Sequence, residues 1–166
     1  MSARAQELAE ILTTELEVTR RLLDLAKDAR AAVVSADSQL LAGIVEEQEA
    51  ASARIEEIEE HRVEVTVLLA VELGLPGDTP PKLAEIVRQL PGDEGLRLRS
   101  LGKELKSAAV RLRDVGERNN LLLSEAARHI DGFFQVLTKA CAPSTGYRQD
   151  GRNRDTKSAQ MVDHQV

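Results

Sequence analysis

From Ala5 to Val34 the chain runs without a glycine or a proline, and its apolar residues recur at helical spacing. Leu8, Leu12, Leu16, Leu23, Ala26 and Val33 fall on one face, which Leu22 and Leu25 widen. A strand would need alternation by two, so this spacing predicts a helix of about Ala5 to Val34. A second series keeps a strict three–four alternation: Leu41, Ile44, Gln48, Ala51, Ile55, Ile58, Arg62, Val65 and Leu69. That is the period of a left-handed coiled-coil seam. Between the two series stands "SADSQ", in which Asp37 is a good N-cap because its carboxylate can accept the free N–H groups of a first helical turn. A connection this short makes the two helices antiparallel neighbours.

Gly74 and Pro76 end the second helix, and "GLPGDTPP" reads as a loop. Thr79 followed by Pro80 has the form of a cap and first turn. It predicts a short helix over about 80–90, with an apolar face of Leu83, Ile86, Val87 and Leu90. After "PGDEG" comes the longest helix, about Glu94 to Ala140. Its seam is Leu98, Leu101, Leu105, Ala108, Leu112, Val115, Asn119, Leu122, Ala126, His129, Phe133 and Val136. The expected fold is all-α: an elongated antiparallel helical bundle or coiled coil of three long helices and one short one. Residues 1–142 form the bundle. From 143 to 166 large apolar residues are few and no helical period remains, so a flexible, disordered C-terminal tail is expected there.

Composition agrees with long helices packed side by side. Aromatics are 2% of the chain, too few for most compact cores, whereas Leu, Ile, Val and Ala suffice to fill helical seams. The net charge of −6 would repel phosphate backbones, so nucleic-acid binding is not expected. No apolar run reaches the length of a membrane span, and "MSARAQELAE" does not resemble a signal peptide. A single cysteine, Cys141, allows no internal disulfide. These features lead to an expectation of a soluble cytoplasmic protein.

Catalytic and metal constellations are absent from the pattern. Glu57–His61 and Glu125–His129 are spaced by four, not by the three of helical di-iron motifs. Cys141 has no obvious activating group in "GFFQVLTKAC". His129 lies on the apolar stripe and reads as a structural histidine. The Glu-rich run of the second helix, Glu46 to Glu60, reads as a solvated face. No enzyme, metal or cofactor is expected.

One stretch stands apart: "GERNNLLLSEAARHIDGFFQVL", residues 116–137, which holds both phenylalanines. Before Val115 the long helix shows a narrow seam; beyond Asn119 the apolar stripe broadens to more than one neighbouring helix would cover. Either the first two helices both pack on it, or part of it is a groove for a partner's amphipathic helix. Phe133 continues the seam line and is assigned to the core. Phe134 continues a second line through Leu123, Ala127, Ile130 and Leu137, and is assigned to a partner-facing surface. Asn119 on the seam can fix register by hydrogen bonding across it. Tyr147, the chain's only tyrosine, suggests a docking anchor in the tail.

In layout, "SAD" turn, Glu-rich second helix, "ERNNLLLSEA" in the last helix and "YRQDG" after it, the chain resembles the FlgN family of flagellar export chaperones. Asn119 matches the second residue of that family's Asn-x-x-Asn pattern, whereas Gly116 stands where the first is expected. Tyr147 and Gly151 match its Tyr-x-x-x-Gly tail. The resemblance implies a cytoplasmic chaperone for hook–filament junction proteins, which binds their C-terminal amphipathic helix, prevents premature assembly and delivers them to the export gate. The client-binding residues are then expected to be Asn119 and Asn120 with the line already assigned to a partner, Leu123, Ala127, Ile130, Phe134 and Leu137, and the resemblance implies gate docking by Tyr147 and Gly151. The apolar stripe could also be closed by a second copy, giving a homodimer in the absence of client. The competing reading is a structural coiled-coil or adaptor protein with no chaperone activity.

Overall fold

A computed structural model describes residues 2–76 and 81–141. All regular structure among them is helical: α1 is Ala3–Val34, α2 Ser38–Glu72, α3 Leu83–Gln89 and α4 Gly92–Cys141. The expected all-α architecture of three long helices and one short one is what the chain adopts. The chain divides into two compact units, residues 1–123 and 124–166.

In the first unit the turns follow from local chemistry. Asp37 caps α2 as its position predicts, its carboxylate accepting from Leu40 N at 2.9 Å. α1 and α2 both end in a pair of closing bonds. Asp37 N donates to Ala32 O and Ala36 N to Val33 O; Leu75 N donates to Ala70 O and Gly74 N to Val71 O. This closure needs a left-handed residue. Gly74 supplies it at φ 69°, but at the end of α1 it is Ala36, at φ 54°.

The predicted start of the short helix needs correction. Residues 77–80, including Thr79 and Pro80, lie outside the described residues, but α3 begins only at Leu83, after an extended Lys82 whose N–H donates to Glu85. The reason is Pro81: a proline disfavours helical backbone in the residue before it, so Pro80 could not open a helix that ran through Pro81.

Most of the expected seams are the buried faces. Leu8, Leu12, Leu16, Leu23 and Ala26 of α1, and Ile44, Ile58, Val65 and Leu69 of α2, are buried. On α4, Leu98 and Ala108 are buried and Leu101, Leu105, Leu112, Val115 and Leu122 partly so. One core cluster joins Leu8 and Leu12 to Ile58, Val65, Leu69, Ile86 and Leu98. A smaller one near the α1–α2 turn holds Leu25, Ala29, Ala32 and Ile44. This pairing, low α1 numbers with high α2 numbers, is the antiparallel register. Within the first unit α4 runs the other way: Ser2 N meets Glu94, Arg20 meets Glu104 at 2.9 Å and Asn119 meets Ala26, so it is parallel to α1. Gly95 lets α4 start against α3, because a Cβ there would lie 2.8 Å from Leu90 O.

The seam also carries an ionic group. Arg62 donates Nε to Glu59 at 2.6 Å and lies 3.8 Å from Glu15. Hydrogen bonding to Glu59 chiefly raises the Arg62 pKa. Glu15 Oε2 is buried without a hydrogen-bond partner, and its pKa is raised because burial outweighs the attraction of Arg62. Arg62 directs its guanidinium to Glu59, so it compensates Glu15 only in part. The acidic run of α2 is solvated as expected, with Glu46, Glu47, Glu49, Glu56, Glu57 and Glu60 exposed.

Candidate functional site

The first unit contains a cleft of about 370 Å³ whose walls come from α1, α2 and the part of α4 up to Leu123. Ala26 and Ala29 keep the α1 wall low, Leu41 and Val45 form the α2 wall, and Gly116 leaves a gap in the α4 wall. A Cβ at Gly116 would meet nothing within 4 Å. Asn119, Asn120 and Leu123, three of the residues singled out from sequence, line this cleft.

Asn119 spans the helices as its seam position predicts: Nδ2 donates to Ala26 O at 2.7 Å. Its Oδ1 is buried and accepts no hydrogen bond. Half of the amide thus fixes α4 against α1. The other half is left with an unsatisfied acceptor, which costs free energy unless something donates to it.

In the second unit the described residues are the last part of α4, from Ser124. Ala127, Ile130, Phe134 and Leu137 are all exposed there, Ile130 by 57% and Phe134 by 59%. They share one helical line, as the four–three–four–three spacing from Leu123 requires. The assignment of Phe133 to the core is overturned: it is 64% exposed. Its ring meets that of Phe134 edge-on, with centroids 6.4 Å apart. His129 is exposed as well, not a buried structural histidine. Periodicity shows which residues share a face; it does not show that another helix meets that face. Tyr147, Gly151 and the Cys141 side chain lie outside the described residues.

Sequence reading missed the α1 and α2 walls of the cleft, including Arg30 on α1. A lone arginine on a helix looks like any solvated charge. The detectable signals were the small residues Ala26 and Ala29, and a glycine, Gly116, inside a long helix. Among the described residues no group of three or more His, Cys, Asp or Glu side chains could hold a metal ion, and no helix is long and apolar enough to cross a membrane.

These features define a helix-bundle protein whose most developed surfaces are an apolar cleft and an uncovered apolar stripe. The chain belongs to the FlgN family: the family model for FlgN protein matches residues 1–155. That places it among flagellar export chaperones. No curated protein and no solved structure matches it.

Proposed function

We propose that this protein is the cytoplasmic chaperone of hook–filament junction proteins, binding their C-terminal amphipathic helix, preventing early assembly and delivering them to the type III export gate. The observation that carries this reading is the exposure of Ile130, Phe133, Phe134, Val136 and Leu137 within two turns of one helix. A scattered apolar residue on a surface needs no explanation, but a contiguous set of this size marks an interaction surface. A client helix that later packs in the filament must have its apolar face covered until export, and a helical stripe is suited to that. Client contacts fall to Ala127, Ile130, Phe134 and Leu137 in the second unit, and to Asn119, Asn120 and Leu123 in the cleft of the first. Phe133 joins them, since it is as exposed as Phe134. Docking to the gate by Tyr147 and Gly151 rests on the family's tail pattern.

Calorimetric titration of the full chain with the C-terminal peptide of a junction protein from the same genome tests the reading. Phe134→Ala should weaken binding by about 2 kcal/mol, the usual cost of truncating a buried aromatic anchor. Tyr147→Ala should leave client affinity within a few-fold while reducing motility. Absence of any binding by the unmodified chain would favour a structural coiled-coil protein.

A further inference from the structure

The cleft of the first unit has a chemistry of its own. Fifteen residues line it, and Arg30 is the only one with a formal charge. The other arginines of α1 are all engaged: Arg4 with Glu72 at 2.8 Å, Arg20 with Glu104 at 2.9 Å, and Arg21 with Glu47. Arg30 alone of these has no ion pair or side-chain hydrogen bond among the described residues. Asn119 is committed to Ala26 O, and its Oδ1 is closed off from solvent. An apolar trough with one unpaired cation is complementary to an apolar surface with one anion.

Size fixes the form of that surface. On each of the three helices the lining spans twelve residues: 22–33, 41–52 and 112–123. A helix of that length, about 10–12 Å wide and 1.5 Å per residue, would occupy on the order of 1,500 Å³. The space between the walls is about 940 Å³ even when counted out into open solvent, so only one face of such a helix can enter it. Apolar lining continues on both sides of Arg30, through Ala26 and Ala29 before it and Val33 after it. A chain terminus held at Arg30 would leave the far part uncovered, so the anion belongs to a side chain.

We infer that the cleft seats one face of the client's amphipathic helix, with an Asp or Glu side chain of that helix paired to Arg30. This rests on the chaperone reading above and adds to it the client's recognition chemistry: an apolar face interrupted by one acidic residue. Arg30 then selects among amphipathic helices that a purely apolar stripe would take alike.

The test is a charge swap by calorimetry on the full chain. The probe is the same junction-protein C-terminal peptide, unmodified and with each of its acidic residues changed singly to Lys. Arg30→Glu should weaken binding of the unmodified peptide roughly ten-fold or more. One Lys-bearing peptide, and not the others, should regain affinity for the Arg30→Glu protein while losing it for the unmodified one. Because Arg30 is exposed, the variant should keep its helical circular dichroism and melting temperature, which the same samples report. Unchanged affinity of Arg30→Glu, or a loss that no peptide reversal restores, overturns the inference and leaves the chaperone reading standing. No binding by the unmodified protein overturns both.

Discussion

Two glycines of α4 should respond unequally to the same substitution. A Cβ at Gly95 would lie 2.8 Å from Leu90 O and 3.1 Å from Val87 O, both backbone atoms that cannot rotate away. A Cβ at Gly116 would meet nothing within 4 Å. Both positions are helical, so each Gly→Ala change gains up to about 1 kcal/mol of helix propensity. At Gly95 the gain is set against displacement of the end of α3, an overpacking cost of about 1–3 kcal/mol. The difference between the variants cancels the propensity and isolates that cost. For a chain of this size it corresponds to about 2–12 °C in melting temperature, at about 2–4 °C per kcal/mol. Thermal melts followed at 222 nm, with urea titrations to confirm the free energies, would measure it. Gly116→Ala should melt slightly above the unmodified protein and Gly95→Ala below Gly116→Ala. Equal stabilisation by both would refute the close packing of α3 on the start of α4.

Four further substitutions probe other parts of the molecule. Ala36 closes α1 at φ 54°, where a Cβ costs about 1–2 kcal/mol, so Ala36→Gly should raise stability by up to about that amount in urea melts. Phe133→Ala and Phe134→Ala should each lower stability by no more than about 1–1.5 kcal/mol, the value of an aromatic edge contact, far from the cost of a core phenylalanine; calorimetric melting of the two variants checks this. Burial raises the folded-state pKa of Glu15 above 4.5, so the native state holds that proton more tightly than the unfolded chain. The contribution of Glu15 therefore falls as pH rises from about 4.5 through its folded value and stays low above it. Glu15→Gln should remove that fall and be at least as stable at pH 7, as denaturant midpoints between pH 4 and 7 would show.

Much of the fold was legible because it rests on spacing. The three–four alternation from Leu41 to Leu69 and the seam from Leu98 to Leu122 became inward faces, since a repeat near 3.5 leaves a helix no other stripe to bury. Asp37 was legible because capping is local. The start of α3 is not legible from Thr79–Pro80 alone, because Pro81 restricts the backbone of its predecessor and α3 begins at Leu83. The site was legible only in part. Asn119 was found because a polar residue on a seam must have a partner, and it has Ala26 O. Phe133 continues the apolar line, but a line of apolar residues does not by itself bring a neighbouring helix to it, and the ring is exposed. Arg30 was not legible as a cleft residue, because which side chains line the cleft depends on how α1, α2 and α4 face one another.

Under the proposed function the last part of α4 covers a client helix. Hydrogen exchange of the full chain, free and saturated with the junction-protein C-terminal peptide, tests it most directly. In the free protein the amides of residues 124–139 should exchange readily, since their side chains are exposed and helical bonds alone give little protection. With peptide bound, those amides should slow by at least ten-fold, the protection centring on Ile130 to Leu137. A bound peptide that leaves exchange across 124–139 unchanged would contradict the claim.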